Sequence, residues 1–221
     1  MAKRLFDIVL SFGLLVVFCI PIVLCWLFIK LTSEGSPLYW SKRSGKYNTT
    51  FLMPKFRTML VDTPQLATHL LSDSKSYLTP FGNLLRKSSL DELPQLWSIL
   101  KGDMSFVGPR PALFNQYDLI GMRKKLNIDG LTPGLTGWAQ INGRDSISLE
   151  QKVELDLHYL TRKSFWFDIK ILLCLKYELR DKMPNKLINP GIYEIFVMLI
   201  ISKYPLKIIK GIDLKSRSKE N

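Results

Sequence analysis

Two adjacent carboxylates, Asp91 and Glu92, lie in a part of the chain that is rich in fixed cations. Arg86 precedes them, and Arg110 follows between the two prolines of residues 108–111. Because proline fixes its own φ angle, the backbone around Arg110 has little freedom. Arginine binds phosphate oxygens through paired N–H donors, and a carboxylate can attack phosphorus or help to hold a metal ion. The pattern therefore indicates chemistry on a metal-bound diphosphate.

The same residues also have a purely structural interpretation. Ser89, with Glu92 three positions later, matches a capping box, and acidic residues in a first turn interact with the helix dipole by about 0.3 to 1 kcal/mol. We therefore expect a helix from Leu90 to Leu100 that Gly102 ends. Adjacent carboxylates do not share a helix face, so Asp91 and Glu92 should point in different directions, which suits two separate roles. The local pattern alone does not choose between cap and catalysis.

The overall charge agrees with an anionic ligand. The 221-residue chain carries 31 Lys and Arg against 19 Asp and Glu, a formal net charge of +12, and 47% of its residues are apolar. This length and apolar content suffice for one domain with a hydrophobic core. The excess of cations favours nucleic acid, anionic lipid head groups or phosphorylated substrates, without choosing among them. Lys55 and Arg57 are two further cations in the sequence that could bind phosphate.

An uncharged apolar segment near the start of the sequence predicts contact with a membrane. Its 22 residues, from Ile8 to Ile29, would roughly span the ~30 Å hydrocarbon core of a bilayer as one helix. Pro21 should kink this helix, because proline removes a backbone hydrogen bond and clashes with the preceding turn. Basic residues flank both ends of the segment: Lys3, Arg4, Lys30, Lys42, Arg43 and Lys46.

Cations at both ends favour a re-entrant membrane helix whose two ends stay on the same side, since basic residues collect on the cytoplasmic side of a membrane. A kinked spanning helix is the main alternative. A cleaved signal peptide is disfavoured, because the apolar run is long and no small-residue cleavage site follows Cys25. The three cysteines have neither zinc-ligand spacing nor an obvious disulfide partner, which fits reduced cytosolic surroundings.

The rest of the sequence predicts a mainly helical fold with a small β-hairpin, an α+β class. Two short apolar runs, residues 38–40 and 51–53, flank a polar stretch and predict the hairpin. Apolar residues spaced three and four apart predict amphipathic helices from Leu149 to Leu160 and from Trp166 to Leu179, and we expect another helix from Ala67 to Ser74. Aromatic and basic residues suit the Trp166 helix to a membrane interface.

Three motifs together resemble the bacterial sugar transferase family, in its small monotopic phosphoglycosyl transferase form. They are Lys55-Phe56-Arg57-Thr58-Met59, the run Ser89-Leu90-Asp91-Glu92-Leu93-Pro94-Gln95 continued by Leu100 to Pro111, and Pro133 to Arg144 with the sequence PGLTGWAQINGR. The resemblance covers the chain from about Lys3 to Leu179. Motifs of this length in this order are highly specific.

The resemblance implies a reaction on a lipid carrier. Such polyprenol-phosphate sugar-1-phosphate transferases move a sugar 1-phosphate from a UDP-sugar to undecaprenyl phosphate and release UMP, the first membrane step of bacterial surface glycan or glycoconjugate biosynthesis. By resemblance Asp91 is the nucleophile that forms a covalent phosphosugar intermediate, and Glu92 helps to hold Mg²⁺ or assists the acceptor. Arg86 and Arg110 bind phosphate. The implied location is the bacterial inner membrane, with the catalytic domain facing the cytosol.

Further expectations concern the domains and the donor pocket. We divide the chain into a re-entrant membrane helix (1–32), a catalytic domain (33–185) with interfacial helices around it, and a basic C-terminal extension (186–221) of open role. Polar residues are the candidates for a nucleotide-sugar pocket, each with a structural alternative: Gln140, Asn142, Arg144, Asp156, Tyr159 and Asp168.

The alternative function is a membrane-anchored basic module that binds polyanions without catalysis. It explains the net charge and the apolar segment but not an acidic pair beside arginines, because acids weaken binding to a phosphate backbone. No nucleic-acid-binding motif is present in the sequence, so we expect no nucleic acid partner. The donor sugar, the pathway served and the oligomeric state, a homo-oligomer included, are not specified by the sequence.

Overall fold

A computed structural model describes residues 1–64, 76–143 and 146–181, except the side chains of residues 175–181. Its helices are α1 (Ala2–Val17), α2 (Cys19–Thr32), α3 (Gly82–Lys87), α4 (Gln95–Lys101), α5 (Tyr117–Lys125), α6 (Trp138–Ile141), α7 (Leu149–Arg162) and α8 (Phe165–Asp181). Its strands are β1 (Leu38–Ser44), β2 (Thr50–Phe56), β3 (Ser105–Val107) and β4 (Gly134–Thr136). Helices with two small sheets agree with the α+β prediction.

The predicted hairpin is confirmed. β1 and β2 pair antiparallel, from Leu38 opposite Phe56 to Ser44 opposite Thr50. Met53 and Phe56 are buried in the main hydrophobic core, where β2 packs against α4. Because these two residues are three positions apart, they lie on opposite faces of β2, so each face of the strand carries a buried side chain.

A second sheet fixes the loop that carries Arg110. β3 and β4 pair in parallel, and the amide of Gly108, which follows β3, donates to the Thr136 carbonyl at 2.9 Å. A Cβ atom on Gly108 would lie 2.4 Å from the Thr132 carbonyl oxygen, so only glycine permits this approach. The start of the 108–111 loop is therefore held directly against β4.

The apolar segment forms two helices with a sharp bend between them. The bend is 61° and lies at Phe18, three residues before Pro21. Proline cannot donate to the carbonyl four residues earlier and clashes with it, so the break falls in the turn before the proline. Within the described residues no single helix is long and apolar enough to cross a bilayer, whereas α1 and α2 together meet that test of length and composition.

The first turn of α1 is bonded to the rest of the domain. The Lys3 ammonium donates to the Val107 carbonyl at 2.8 Å. The Arg4 guanidinium donates to the carbonyls of Ile99 and Leu100, at 2.6 and 2.7 Å, where α4 approaches its end. The two cations that precede the apolar segment thus dock α1 on α4 and β3.

The bend between α1 and α2 presents apolar side chains to the exterior. Large exposed residues near it are Phe12, Val16, Val17, Ile20, Val23, Leu24 and Leu27. Large exposed apolar side chains that gather in one region are typical of a site of interaction with a membrane or another protein. The helix pair therefore has a polar end that is docked and an apolar tip that is not.

The predicted helix from Leu90 to Leu100 is wrong at its start. Residues Leu90–Glu92 form a 3₁₀ turn, and α4 begins only at Gln95. Ser89 has a φ of 54° and its hydroxyl caps no helix, so the predicted capping box with Glu92 does not form. The physical reason is that the Glu92 carboxylate is bonded to cations from other elements, as described below.

Of the other predicted elements, some are confirmed and some lie outside the residues that the structure describes. α7 and α8 confirm the two amphipathic helices, and Gly102 ends α4 with a φ of 105°. The helix expected near residues 67–74 and the extension 186–221 lie outside the described residues. The division of the chain into three segments stays a prediction.

Candidate active site

A cavity of about 610 Å³ lies between the hairpin, the turn that holds Asp91, the Arg110 loop and α5 to α7. Asp91 is the one carboxylate among the described residues that line it. The lining contains eight cations: Lys42, Arg43, Lys55, Arg57, Arg86, Arg110, Arg123 and Lys152. A concave surface with this charge concentrates anions, and its volume lies in the range of ligand pockets.

Glu92 connects two of the predicted phosphate-binding cations. Its Oε1 accepts from Lys55 Nζ at 3.2 Å and from Arg110 Nη2 at 3.3 Å. These cations come from β2 and from the proline-rich loop, so Glu92 holds two separate elements together. Its carboxylate lies beside the cavity as the counter-ion of the cluster and does not cap α4.

Asp91 has the electrostatic surroundings of a reactive carboxyl group. Burial, and then the neighbouring charge of Glu92, raise its pKa from 3.8 to about 6, against the opposing effect of Lys55 and Arg86. The group is therefore mostly ionised at pH 7.5 but carries its charge at a cost in solvation. A partly desolvated anion in a cavity with fixed cations is a common feature of functional sites.

Arg86 reaches the same cavity from α3. Its Nε donates to Thr58 Oγ1 at 2.9 Å, which fixes the guanidinium near the end of β2. A Cβ atom on Gly82 would lie 2.1 Å from the Thr58 carbonyl oxygen, so glycine at the start of α3 allows this close packing. The rest of the Arg86 guanidinium faces the cavity that Asp91 also lines.

Lys55 is mostly buried, and burial lowers its pKa while Glu92 opposes that effect. Arg57 lies nearer the surface, where its Nε donates to the Ser36 carbonyl at 2.7 Å, and its side chain lines the same cavity. The structure thus brings all four predicted phosphate-binding cations together with Asp91.

Arg43 also lines the cavity, although it was not among the predicted site residues. Its Nη1 donates to the Pro111 carbonyl at 3.2 Å, and burial, followed by the charge of Arg110, lowers its pKa to about 10. Alternation along β1 could have found it, because Ser41 and Arg43 share the face of the hairpin that is turned inward.

The PGLTGWAQINGR motif contributes two cavity residues, Ala139 and Gln140. Gln140 lines the cavity, and neither its carboxamide oxygen nor its nitrogen has a hydrogen-bond partner in the described structure. Asn142 is placed elsewhere: its Nδ2 donates to the Trp138 carbonyl at 2.8 Å and stabilises the end of α6. Arg144 lies outside the described residues.

Asp156 was predicted in the donor pocket, but it does not line the cavity. It is 1% exposed, and its Oδ2 accepts from both Nε and Nη2 of Arg123, at 3.0 and 2.6 Å. A buried carboxylate requires a paired cation, and Asp156 has that cation in Arg123. Arg123, which the sequence analysis missed, lines the cavity in its place.

Tyr159 and Asp168, two further candidates for the donor pocket, are not part of the cavity lining. The Tyr159 hydroxyl donates to Asp168 Oδ1 at 2.6 Å, and Lys3 Nζ contacts Asp168 Oδ2 at 2.5 Å. Burial and the Asp168 carboxylate raise the pKa of Tyr159. These polar groups satisfy one another inside the protein, where they tie α7 and α8 to α1.

Comparison with known proteins assigns the family. A family model described as bacterial sugar transferase matches residues 1–177. The chain belongs to the bacterial sugar transferase family. The resemblance in its sequence motifs is thereby confirmed.

Individual relatives agree with this assignment. The chain is 44% identical over 174 residues to the uncharacterized sugar transferase EpsL of Bacillus subtilis, covering 78% of this chain and 84% of the relative. It is 40% identical over 179 residues to the UDP-glucose:undecaprenyl-phosphate glucose-1-phosphate transferase of Escherichia coli. It is 34% identical over 189 residues to the undecaprenyl-phosphate galactose phosphotransferase of Salmonella typhimurium.

Coverage differs among these relatives. The alignments to the Escherichia coli and Salmonella proteins each include 77% of this chain but 38% of the relative. The chain thus spans well under half the length of those two relatives. Their names support the prediction of an enzyme of the phosphoglycosyl transferase class.

The described residues offer only a few donors for the predicted Mg²⁺ site. Within the described residues no group of three or more His, Cys, Asp or Glu side chains is arranged to hold a metal ion. Mg²⁺ is often bound by one or two carboxylates together with substrate phosphates and waters. Asp91 on the cavity wall, with Glu92 beside it, fits such a shared set of ligands and not a site built from protein alone.

Proposed function

We propose that this protein transfers a sugar 1-phosphate from a UDP-sugar to undecaprenyl phosphate and releases UMP. The observation that carries the proposal is the Asp91 carboxylate, which lies with a raised pKa on the wall of a cavity lined by eight cations. The names of the Escherichia coli and Salmonella relatives support the same lipid acceptor.

In the first half-reaction a carboxylate oxygen of Asp91 attacks the β-phosphorus of the UDP-sugar. An O–P bond forms to Asp91, and the bond from the β-phosphorus to the bridging oxygen breaks. That oxygen leaves with the electron pair as part of UMP. The product on the enzyme is an aspartyl phosphosugar, an acyl phosphate that preserves the energy needed for the second transfer.

Charge repulsion is the main obstacle to this step, since an anionic nucleophile meets an anionic diphosphate. Arg86 and Arg110 offset it by binding phosphate oxygens, and Lys55 places a further positive charge beside the nucleophile. Glu92 holds Lys55 and Arg110 in place through its two contacts. Burial of Asp91 contributes too, because a poorly solvated carboxylate loses less hydration when it reacts.

Asp91 and Glu92 are the residues that would hold Mg²⁺ together with the donor phosphates. When bound, the ion neutralises phosphate charge and polarises the P–O bonds. The protein groups described above position the donor around it.

In the second half-reaction an oxygen of undecaprenyl phosphate attacks the phosphorus of the intermediate. The O–P bond to Asp91 breaks, and the carboxylate is restored. Because UMP leaves before the lipid binds, the kinetics are ping-pong. The C1–O bond of the sugar is never cleaved, so the anomeric configuration of the donor is kept.

The membrane is the place where this acceptor is found. The apolar bend of α1 and α2 is exposed, whereas the start of α1 is bonded to the catalytic part of the chain and α2 leads directly into β1. Two ends attached to one domain favour a re-entrant helix, with that domain on the cytosolic face of the bacterial inner membrane. Trp166, 77% exposed at the start of α8, suits an interfacial position.

The topology has its own test. A cysteine introduced near Lys3, in a variant without the native cysteines, is expected to react with a membrane-impermeant reagent only after the cells are permeabilised. A second cysteine at Asp103, on the catalytic domain, should behave in the same way. Opposite accessibility of the two positions would contradict the re-entrant arrangement.

The reaction is tested by measuring UMP. The detergent-purified protein, given Mg²⁺, undecaprenyl phosphate and a panel of UDP-sugars, is expected to release UMP with at least one donor, and the panel identifies the sugar. Asp91→Asn should give background release. Asp103→Asn is the matched control, because Asp103 pairs with Lys101 at the surface. Abundant turnover by Asp91→Asn would remove Asp91 as the nucleophile.

The covalent intermediate has a separate test. Intact-protein mass spectrometry after acid quench, with the donor sugar alone, should show an increase equal to one phosphosugar that Asp91→Asn lacks. Release of UMP that requires the lipid acceptor in the same complex, without any adduct, would indicate direct transfer.

The polyanion-binding alternative accounts for less of the molecule. It explains a cation-lined surface but gives no reason for burying a carboxyl group among the cations, where it lowers affinity for anions. No specific feature of the described residues favours it over catalysis.

A further inference from the structure

The Arg110 loop is held mainly through its carbonyl oxygens. Residues 108–111 contain two prolines, which have no N–H to donate, so carbonyl groups are the main sites at which other elements can fix this backbone. The Pro109 carbonyl accepts from the Gly134 amide at 2.9 Å. The carbonyl of Arg110 itself accepts from Nη1 of Arg123, also at 2.9 Å.

Arg123 is oriented for this contact by a buried carboxylate. It is 8% exposed, and its Nε and Nη2 donate to Asp156 Oδ2 while Nη1 points to the Arg110 carbonyl. The guanidinium is planar, so fixing two of its nitrogens also fixes the direction of the third. Lysine has no such fork and could not make both contacts with the same geometry.

These contacts form a continuous path from the interior to the reaction centre. Asp156 lies on α7 and Arg123 on α5, and the path continues through the backbone of Arg110 to its side chain. The Arg110 Nη2 then contacts Glu92, the neighbour of Asp91. A displacement at α5 or α7 therefore reaches a group that binds the donor phosphate.

We propose that Arg123 and Asp156 are positioning residues that orient Arg110 for phosphate binding through the Arg110 carbonyl. This inference rests on the proposed function in one respect, the role of Arg110 as a phosphate ligand. Asp156 thus serves the site without lining the cavity.

Direct phosphate binding by Arg123 is the competing explanation, because Arg123 also lines the cavity. The two explanations differ in what Asp156 does. If Arg123 binds the donor by its charge, Asp156→Asn should preserve or strengthen donor binding, since it removes a competing anion. If Arg123 positions Arg110, the same substitution should weaken catalysis, since the fork loses its anchor.

The first test measures amide hydrogen exchange in the Arg110 loop and does not depend on enzymatic activity. Hydrogen exchange followed by mass spectrometry is applied to the full-length protein in detergent, with the wild type, Asp156→Asn and Arg123→Lys. Both variants should exchange at least about tenfold faster in the peptide that contains residues 107–112. Val153→Ala is the matched control: Val153 is buried on α7 in a hydrophobic cluster with Ala112, Leu119 and Ile128, but it makes none of these bonds.

Each result of this test is decisive. Faster exchange in Asp156→Asn and Arg123→Lys but not in Val153→Ala supports the inference. Exchange as in the wild type for both Asp156→Asn and Arg123→Lys, or equal acceleration in these two variants and Val153→Ala, overturns it. If Asp156→Asn does not fold, Arg123→Lys carries the same comparison.

The second test is a double-mutant cycle on UMP release. A misplaced binding group can cost about 10²-fold, so Asp156→Asn should lower kcat/KM by about 10- to 100-fold in the wild type. In an Arg110→Ala background, which keeps the carbonyl but lacks the guanidinium, its effect should fall below about threefold. If the fold loss in kcat/KM of the double variant equals the product of the two single losses, Asp156 acts independently of Arg110 and the inference is overturned.

The two proposals fail separately. If the wild type releases no UMP with any donor, the proposed function is lost, and the exchange measurement alone decides whether the loop is held by Arg123. If the wild type is active and the two substitutions multiply, the function stands and the positioning role does not.

Discussion

Two segments of this chain have the same capping pattern and use it differently. Ser148 and Gln151 form a complete capping box at the start of α7: the Ser148 hydroxyl accepts from the Gln151 amide at 3.2 Å, and the Gln151 side chain accepts from the Ser148 amide at 3.1 Å. Ser89 and Glu92 have the same spacing, but they form no cap. Between the latter pair lies Asp91.

The difference lies in what else the acidic residue can bind. Gln151 is exposed and has no competing charged partner among the described contacts, so it bonds to the local backbone. Glu92 is beside Lys55 and Arg110, and charge-assisted contacts with both are stronger than one bond to a backbone amide. Ser89 adopts a left-handed conformation, which costs a serine on the order of 1 kcal/mol. A local rule that is broken at such a cost indicates a functional site.

The largest difference between the Ser89–Glu92 segment and the Ser148–Gln151 segment is expected at Asp91. Asp91→Asn should reduce UMP release by at least about 10⁴-fold, because it removes the nucleophile. The same variant should be more stable than the wild type at pH 7.5, since the folded state raises the pKa of Asp91 from 3.8 to about 6 and so disfavours the charged form. About two pKa units correspond to roughly 3 kcal/mol at most.

The sign of that stability effect can be checked by pH. A carboxyl group with a raised folded-state pKa destabilises the protein above that pKa and not below its unfolded value. The melting temperature of Asp91→Asn should therefore exceed that of the wild type at pH 7.5, and the two should converge near pH 4. A variant that is less stable at both pH values would contradict the assignment of Asp91 as a strained, functional carboxylate.

Glu92→Gln should have the next largest effect. It removes the charge that holds Lys55 and Arg110, so kcat/KM for UMP release should fall by about 100-fold. Gln151→Ala, the corresponding residue of the formed capping box, should leave kcat/KM within about twofold. Equal losses in the two variants would mean that the contacts of Glu92 with Lys55 and Arg110 do not serve the reaction.

The pH profile refines the role of Glu92. In the wild type, kcat/KM should decline about tenfold per pH unit below about pH 6, because the attacking Asp91 must be ionised. In Glu92→Gln this acid limb should lie at lower pH, since the Glu92 charge is one cause of the raised pKa. A limb that moves to higher pH, or does not move, would indicate a different titrating group.

Ser148→Ala should affect stability and not chemistry. Loss of a formed N-cap costs about 1 kcal/mol, which lowers the melting temperature by a few degrees. The kcat of the folded protein should stay within about twofold. A loss of activity that exceeds the loss of folded protein would show that the start of α7 serves the cavity more directly.

The smallest effect is expected at the unformed cap. Ser89→Ala should change the free energy of unfolding by less than about 0.5 kcal/mol, because the Ser89 hydroxyl caps no helix. Thermal unfolding of this variant beside Ser148→Ala gives the comparison directly. A loss similar to that of Ser148→Ala would reveal a contact of the Ser89 hydroxyl that matters for folding.

Local periodicity predicted the elements that depend on local contacts. The hairpin, α7 and α8 follow from spacing alone, and the helix break follows from Pro21 within one turn. The predicted helix at Leu90 started too early, because tertiary charge contacts of Glu92 overrode a valid local pattern.

The site was predictable where cations cluster in motifs and not where polar groups pair across the chain. Asp156 and Arg123 are 33 positions apart, and their sequence contexts do not distinguish a buried ion pair from a pocket. Tyr159 and Asp168 have the polarity of ligand-binding residues, yet they satisfy each other. Only the three-dimensional arrangement shows which polar groups are already paired and which face the cavity.

The docking of α1 has a consequence for the biogenesis of the protein. Lys3 contacts Asp168, a residue 165 positions later, so a ribosome that adds about 5 to 20 residues per second needs roughly 8 to 33 seconds to supply that partner. During this interval the apolar bend already exists while its polar end has no domain to bind. The contacts that dock α1 on the domain therefore form only after most of the chain has been synthesised.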